Sequence, residues 1–433
     1  MTLKILKYLL FFFIGSIIIA LAILFTPPLF RRFVPYPKME MQVNDLQKLR
    51  KEPVSISRLK LYRGVLHVHS YWSHDSEGTL ADILPAAKVD NIDFIFLTDH
   101  PRGNLDTIPR GYNGRFENVL IIPGSEKQGF DTWPLDSVVI DWSRDKDTIA
   151  KNIVENGGII FYAHPEEAHN WSNPWYQGME IYNFHADTKD EYLIPQVANF
   201  IINGRKYPQW SFREMFDEQS AIIARWDSLN TIRKIVGFSA VDTHENQNFR
   251  ARYIKDGRIE WVGPNGNVID TTEVTYWNKW LLHPPDKSGW IFKWMIDTYK
   301  EGFNYITNYV YADTLSVVSL SDHIKKGHLY TAFKSLGDAG GFMFSCTDQK
   351  DRVCGIMGDS VALDRVKTLS AVSPLPGQFR LLHDGKIVNI SSYDNYEYSW
   401  EELIEKGAYR IEVHIRIRNK DLPWVYSNPI YVY

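Results

Sequence analysis

The stretch from Tyr62 to His100 constrains most strongly what this chain of 433 residues can fold into. Its apolar run from Arg63 to Val68 predicts a buried strand that delivers His67 and His69, and alternation along a strand points both imidazoles to the same side. The residues 80–89 have the apolar spacing of a helix, and 92–97 form a second apolar run that leads into His100. Strand, helix and strand form a parallel unit, and ligands at strand C-terminal ends fit the active face of an α/β barrel.

The alternation of strands and helices continues after His100. The later apolar runs, several of them followed by a potential ligand, are 119–122 before Glu126, 137–140, 159–162 before His164, 178–182 before Asn183 and His185, and 235–238 before Asp242 and His244. Seven strands with potential ligands beyond most of their C-terminal ends predict an α/β fold of the (β/α)7 barrel type.

Three motifs in this region, HVHS, SHDSEG and TDH, resemble those in the first half of the PHP (polymerase and histidinol phosphatase) domain. The PHP family is a group of metal-dependent phosphoesterases and related hydrolases. The resemblance implies a distorted (β/α)7 barrel and a cluster of two or three divalent ions. Imidazole and carboxylate ligands suit zinc, manganese or iron. By position, the resemblance assigns metal ligation, and catalysis through the bound metals, to eight residues: His67, His69, Asp75, His100, Glu126, His164, Asp242 and His244.

The chain departs from the family at a ninth ligand, which is usually a histidine between the glutamate and the AHP motif. No histidine lies between Glu126 and His164, and the nearest candidate is Asp136. Either Asp136 replaces that histidine or the cluster holds two ions. His74 competes with Asp75 for one ligand position, and Asp75 is preferred.

Each assigned residue has a competing structural interpretation. A single histidine at a strand end is more often hydrogen-bonded than metal-bound, but eight matches at successive strand ends favour metal. On the substrate side, His185 is the preferred candidate, and Asn183 is a second one. Arg102 follows the TDH motif and would suit a bidentate contact to phosphate, although a surface role explains it equally well. Glu180 either lines the pocket or packs structurally.

The N-terminus predicts a membrane anchor within residues 1–30. Tyr8 to Phe25 is an uninterrupted run of uncharged, mostly apolar residues, long enough to span a bilayer as a helix. A cleavable signal peptide is the alternative because Ala20-Leu21-Ala22 resembles a cleavage site. The anchor is preferred because the apolar run continues past that site. Residues 31–61 are expected to be a polar link with one short helix near 44–51.

The remaining chain is expected to form two domains. Residues 62–325 would be the metallohydrolase barrel, with a Trp- and Tyr-rich insertion over 245–325 that contains a hairpin at 255–258. Residues 326–433 would be a small all-β sandwich, in which Asp384-Gly385 is a hairpin turn. The phrases LGDAGGF and PWVYSNPIYV resemble β-rich tails that follow some PHP domains. Cys346 and Cys354 exclude a Cys-x-x-Cys zinc site, and either a disulfide or two thiols fits their spacing.

These features predict a metal-dependent phosphoesterase in which a metal-activated hydroxide hydrolyses a phosphate ester. The substrate would be a small-molecule or envelope phosphoester, and the catalytic body would be periplasmic or extracellular. A net charge of −4 gives no reason to expect a nucleic acid partner. The alternatives are a metal-dependent hydrolase of an amide or another ester, and a non-catalytic scaffold that binds the envelope.

Overall fold

The structure is a computed structural model that describes residues 2–53, 58–103, 106–135, 140–189, 192–286 and 289–433. The helices of these residues are α1 (Thr2–Phe33), α2 (Pro35–Lys48), α3 (Leu80–Val89), α4 (Lys146–Glu155), α5 (Phe184–Lys189), α6 (Leu193–Asn199), α7 (Pro208–Arg213), α8 (Ser220–Asn230), α9 (Tyr276–Lys279), α10 (Tyr299–Tyr305) and α11 (Val317–Lys326).

The strands of the first half of the chain are β1 (Lys60–Val68), β2 (Phe94–Leu97), β3 (Gly114–Phe116), β4 (Val119–Ile122), β5 (Ser125–Lys127), β6 (Phe130–Trp133), β7 (Ile159–Tyr162), β8 (Gly178–Asn183), β9 (Val236–Thr243), β10 (Asn248–Tyr253), β11 (Ile259–Val262), β12 (Val268–Thr272) and β13 (Trp290–Met295). Those of the second half are β14 (Thr307–Ala312), β15 (Leu329–Ala332), β16 (Met343–Thr347), β17 (Val353–Ile356), β18 (Ser360–Val361), β19 (Thr368–His383), β20 (Lys386–Ile390), β21 (Asn395–Trp400), β22 (Gly407–Ile417), β23 (Lys420–Ser427) and β24 (Ile430–Val432).

The main sheet is built around β1. This strand pairs in parallel with β2 on one side and with β9 on the other, and the parallel pairings continue from β2 to β4 and from β9 through β8 to β7. Every residue of β2, β4 and β7 is buried, as expected for parallel strands that are covered on both faces. Helices α3, α4 and α8 separate these strands along the chain, so the mixed α/β class predicted from the sequence is confirmed.

An antiparallel hairpin stands between β4 and β7. Strands β5 and β6 pair with each other, and β6 also pairs antiparallel with β7. Its turn residues Gln128 and Gly129 both have positive φ angles, 58° and 80°, which is the conformation of a tight two-residue hairpin turn. This hairpin was not predicted from the sequence. A strand was expected at 137–140 instead, and residues 137–139 lie outside the described residues.

The Trp- and Tyr-rich segment forms a separate four-stranded antiparallel sheet in the order β12, β11, β10, β13. The hairpin expected at 255–258 joins β10 to β11, with Gly257 at a φ of 84°. The expected insertion covered residues 245–325. Within this range, β14 already belongs to the main sheet, because it pairs antiparallel with the first half of β1.

The C-terminal strands form two groups that share β19. The first half of this 16-residue strand pairs with β16 and β21, and the second half pairs with β20 and β22. The predicted turn at Asp384-Gly385 joins β19 to β20, with φ angles of 48° and 76°. Strand β15 pairs with both β14 and β23, so hydrogen bonding continues from the main sheet into the C-terminal strands. Cys346 and Cys354 are free thiols whose Sγ atoms lie 3.1 Å apart.

Two consecutive helices open the chain. The helical segment Ile5–Lys48 contains a stretch that is long and apolar enough to cross a membrane, by length and composition alone, and a signal sequence meets the same criterion. Residues 31–61 were expected to be a link with one short helix near 44–51. The structure instead has the 14-residue helix α2 in this range. Pro35 opens this helix, a position where the fixed φ of proline is favourable. Tyr36 is fully buried, so α2 packs against the folded body.

Candidate metal centre

Three of the predicted ligands adopt a backbone conformation that is rare for residues other than glycine. His67, His164 and Asp242 have φ angles of 60°, 47° and 49°. The register of β1 with β2 and β9 shifts on either side of His67, so this residue sits at an irregularity in its strand. A residue with a side chain costs free energy in this region, and such strain persists where the surrounding structure fixes it, commonly at functional sites.

Four buried side chains meet in an inner cluster: His67, His69, Glu126 and Asp242. The Nε2 atom of His67 lies 3.1 Å from Nε2 of His69 and 3.0 Å from Oε2 of Glu126. Oδ1 of Asp242 lies 3.4 Å from both imidazole nitrogens, and Oε2 of Glu126 lies 3.3 Å from His69. Corners of a tetrahedron at this spacing lie about 2.0 Å from its centre, which is the usual distance from zinc to nitrogen or oxygen.

An unsatisfied oxygen supports a cation in the inner cluster. Oδ1 of Asp242 is buried and has no hydrogen-bond partner. Because an unpaired buried carboxylate oxygen is costly, its position beside two imidazole nitrogens fits a metal ligand better than a structural residue. The donors are imidazole nitrogen and carboxylate oxygen, which suit zinc, manganese or iron.

A second, outer cluster combines His69 with Asp75, His100 and His244. Oδ2 of Asp75 lies 3.4 Å from Nε2 of His100 and 3.4 Å from Nε2 of His244. The Nδ1 atoms of both histidines approach backbone carbonyl oxygens, those of Glu126 and Asp242, at 3.0 and 2.9 Å. A proton on each Nδ1 would leave Nε2 free for a metal. Asp75, which was preferred over His74, belongs to this group of possible ligands.

His164 lies beside the inner cluster with fewer partners. Its Nε2 atom is 3.3 Å from Oε1 of Glu126 and 3.6 Å from Oδ2 of Asp242. The amide of Asn183 donates to that same Oδ2 atom at 3.2 Å. Asp136, proposed as the ninth ligand, lies outside the described residues, so its role stays a prediction.

Two acids behind His67 complete its surroundings. Oε1 of Glu180 lies 2.5 Å from the Nδ1 atom of His67, and Oδ2 of Asp131 lies 3.3 Å from it. A carboxylate that accepts from the far nitrogen of a metal-binding imidazole fixes its tautomer and orientation. Glu180 thus lies in the site, where structural packing was the alternative. Asp131, which lies on β6, was not among the predicted site residues.

The charges of the inner cluster depend on one another. Burial alone would lower the pKa of His67, but four surrounding carboxylates outweigh it and raise the pKa well above its usual value. Burial would raise the pKa of Asp242, yet His67 and its neighbouring imidazoles hold it well below the usual range. Burial raises the pKa of Asp131 to about 7, although His67 partly offsets this. Carboxylates therefore stay ionised only where positive charge is close, which is the environment that a cation would provide.

A cavity of about 230 Å³ opens above the clusters and is lined by Asp75, His100, Glu126, His164, His185, Asp242, His244, Asn246 and Gln247. It contains His185, the preferred substrate-side candidate. Arg102 does not line it, because its guanidinium donates to the carbonyls of Tyr71, Trp72 and Ser73. Asn183, a second substrate-side candidate, is outside this lining, and its amide donates to the carboxylates of Glu180 and Asp242.

Comparisons with known proteins give remote likenesses to solved structures only. No protein-family model matches the chain, and a search of curated proteins finds no match. Among solved structures, the chain is similar to a crystal structure from Bacteroides vulgatus, described as a two-domain protein containing a predicted PHP-like metal-dependent phosphoesterase. The TM-score is 0.37 and the identity 13%, and the match covers 87% of this chain and 98% of that one.

Proposed function

We propose that this protein is a metal-dependent phosphoesterase of the PHP type. The observation that carries the proposal is the inner cluster, in which side chains from distant parts of the chain bring four ligand atoms to the spacing that a divalent ion requires. The outer cluster lies directly beside it and shares His69. The parallel order β4, β2, β1, β9, β8, β7, extended antiparallel by β6 and β5, supports a distorted (β/α)7 barrel as the scaffold.

The residues have separable tasks in this proposal. His67, His69, Glu126 and Asp242 would hold one ion, and Asp75, His100 and His244 would hold a second together with His69. Divalent ions at such positions lower the pKa of water and neutralise the oxygens of a phosphoryl group. Glu180 orients His67, and Glu166, with Oε1 3.2 Å from the Nδ1 atom of His164, orients that imidazole. His185, in the cavity wall, would contact the substrate.

The location of the protein is also part of the proposal. Helix α1 would anchor the chain in a membrane, with the body on the periplasmic or extracellular side and a small-molecule or envelope phosphoester as the substrate. The division into an anchor (1–30), a link (31–61) that contains α2, a barrel (62–325) and a β-sandwich (326–433) belongs to the same proposal. A nucleic acid partner is not expected at a net charge of −4.

The test is hydrolysis by the full chain in lipid nanodiscs. The substrates are p-nitrophenyl phosphate, bis(p-nitrophenyl) phosphate and p-nitrophenyl acetate, each with zinc or manganese. We expect release of nitrophenolate from at least one phosphate ester, and its loss in the His67→Ala/His69→Ala double variant. His283→Ala is the control, because this histidine is exposed and outside the site.

Metal content of the same samples gives a second readout. We expect at least two metal equivalents in the wild-type chain and fewer in the double variant. Hydrolysis of the acetate but of neither phosphate would assign the site to carboxyl esters. No hydrolysis with either metal, together with unchanged metal content in the double variant, would overturn the proposal.

A further inference from the structure

A second cavity adjoins the metal centre. It has a volume of about 310 Å³ and shares His185 and Gln247 with the cavity above the metal clusters. Protein interiors rarely contain voids much larger than a water molecule, whereas ligand pockets begin near this size. A cavity of this size beside the candidate metals is therefore a candidate binding site.

The wall of this second cavity is mostly apolar. Its carbon-rich side is formed by Phe184, Val197, Phe200, Phe212, Met215 and Val241. The ring of Phe212 packs against those of Phe184 and Phe200 with centroids 4.9 and 4.8 Å apart, so part of the wall is held by aromatic contacts. Gln247 and Asp297 belong to the polar side, where the backbone N–H of Gln247 donates to the Asp297 carboxylate. The cavity is thus suited to an apolar group attached to a polar one.

The segment that carries Val197 and Phe200 also contacts the C-terminal end of α1. Just after α6, the amide of Asn203 donates to the carbonyl of Pro28 at 3.0 Å, and the guanidinium of Arg32 donates to the carbonyl of Ile202 at 2.5 Å. One short segment therefore borders both the apolar cavity and the end of the helix that is apolar enough to cross a membrane.

The outer surface of the same segment is unusually apolar. Tyr192, Ile194 and Ile201 are 85%, 69% and 58% exposed, and Phe30 and Phe33 of α1 are 58% and 72% exposed. Exposed aromatic and aliphatic side chains beside a membrane-spanning helix are typical of residues at the lipid interface. This surface fits the face of the body that rests on the bilayer.

We propose that the substrate is an amphiphilic phosphoester from the membrane surface, whose apolar chain occupies the second cavity while its phosphate lies at the metal clusters. This inference rests on the proposed function and adds the substrate class to it. In the reaction, water adds to phosphorus, the P–O bond to the leaving group breaks, and the leaving oxygen receives a proton. His185 and Gln247 lie where the polar and apolar parts of such a substrate would join.

A chain-length series tests this inference. The substrates are p-nitrophenyl methyl, butyl and octyl phosphate, which differ only in the alkyl group, and the enzyme is the full chain in nanodiscs with zinc or manganese. We expect kcat/KM to rise about threefold to fourfold for each added methylene until the cavity is filled. Hydrolysis of all three esters at equal kcat/KM would overturn the inference and leave the proposed function intact. No hydrolysis of any of them, nor of p-nitrophenyl phosphate, would overturn both.

Matched variants separate cavity binding from partitioning into the lipid. Val197→Trp places a large ring in the cavity, and Ile194→Trp places the same ring on the exposed side of α6. We expect the octyl to methyl ratio of kcat/KM to fall at least tenfold in Val197→Trp and to stay within twofold of wild type in Ile194→Trp. Equal ratios in both variants would contradict the inference.

Binding gives a readout that does not depend on turnover. Octylphosphonate and methylphosphonate carry the same head group, and their affinities are measured by calorimetry with the wild-type chain and both variants. We expect octylphosphonate to bind wild type at least tenfold more tightly than methylphosphonate, and this preference to be lost in Val197→Trp only. Equal wild-type affinities would overturn the inference even if the variant fails to fold.

Discussion

At the scale of single residues, His67 has two different environments on its two ring nitrogens. Its Nε2 atom faces the inner cluster, while its Nδ1 atom faces Glu180 at 2.5 Å. Its positive φ places the imidazole between these two sets of partners, at a conformational cost that neighbouring residues must offset. The orientation of this ring therefore depends on Glu180.

Replacing Glu180 with glutamine tests that dependence. The amide keeps the size of the side chain but removes the charge that favours a proton on Nδ1 of His67. We expect the affinity for zinc to fall about 10- to 100-fold, as is typical when the carboxylate partner of a metal-binding histidine is lost. The measurement is competition with a chromophoric chelator. Glu155→Gln, at an exposed position of α4, is the control and should leave the affinity unchanged.

An unchanged zinc affinity in Glu180→Gln would show that Glu180 has a packing role only. Circular dichroism of both variants shows whether a lower affinity results from loss of folding.

The sequence allowed prediction of the residues at strand ends but not of those inside the sheet. His67, His69, Glu126 and Asp242 follow or end apolar runs, and the resemblance to the PHP motifs assigned them to one cluster. Asp131 could not be predicted in this way because β6, with the sequence FDTW, is short and its direction depends on the hairpin turn at Gln128. A turn that requires two positive φ angles usually contains asparagine or aspartate before glycine, and glutamine gives a weaker signal.

At the scale of secondary structure elements, a buried ion network joins α8 to β22. The guanidinium of Arg410 donates to both oxygens of Asp227, at 2.6 and 2.8 Å, and to Glu412 at 2.5 Å. The side chains of Arg410, Asp227 and Glu412 are 3%, 10% and 8% exposed. This network links a helix of the first half of the chain to the C-terminal strands.

Removal of Arg410 would leave two buried carboxylates without their partner. We expect Arg410→Ala to lower the free energy of unfolding by about 3–5 kcal/mol, as is usual when one member of a buried ion pair is removed. The measurement is urea unfolding of the nanodisc-bound chain, followed by tryptophan fluorescence. Arg252→Ala is the matched control, because its pair with Glu260 is half exposed and should contribute less than about 1 kcal/mol. Equal losses in the two variants would contradict a role for burial.

The same network predicts a dependence of stability on pH. Burial alone would raise the pKa of Glu412, but the charge of Arg410 and a hydrogen bond with His414 outweigh it and lower the pKa to about 2. Because the pKa is lower in the folded state than in the unfolded chain, this carboxylate stabilises the fold above the unfolded pKa. The contribution is lost as the pH falls from about 4.5 towards 2.

We therefore expect Glu412→Gln to lose less stability than the wild-type chain between pH 5 and pH 3. The difference should be about 1–3 kcal/mol, measured by urea unfolding at several pH values. Glu397→Gln, at an exposed position of β21, should follow the wild-type curve. Parallel curves for Glu412→Gln and the wild-type chain would show that Glu412 does not contribute to acid unfolding.

At the scale of the whole molecule, α2 connects the apolar helix to both halves of the body. Oε2 of Glu40 accepts from the indole of Trp210 in α7 at 2.8 Å, and Oε1 of Gln42 accepts from the backbone N–H of Arg418 at 2.9 Å. The carbonyl of Leu49, just after the helix, accepts from the hydroxyl of Tyr396 in β21 at 2.7 Å. These contacts fix the position of α2 on the body.

The sequence contains a signal for this helix that its prolines obscured. Tyr36, Met39, Val43 and Leu46 recur at helical spacing, and all four pack against the core of the body. Pro35 and Pro37 suggested a polar link because proline interrupts helix interiors, but both lie in the first turn, where no intrahelical donor is needed. The helix α2 could therefore have been predicted from the sequence. The surface that it covers could not, because that surface is formed by strands that lie hundreds of residues later in the chain.

A pair of substitutions within α2 tests whether this helix is part of the folded body. Tyr36 is fully buried, and Met41 is 57% exposed on the same helix. We expect Tyr36→Ala to lower the free energy of unfolding by about 3–5 kcal/mol, because a large buried aromatic ring is replaced by a cavity. Met41→Ala should change it by less than about 0.5 kcal/mol. Equal effects of the two substitutions, measured by urea unfolding in nanodiscs, would mean that α2 is a spacer and not part of the folded body.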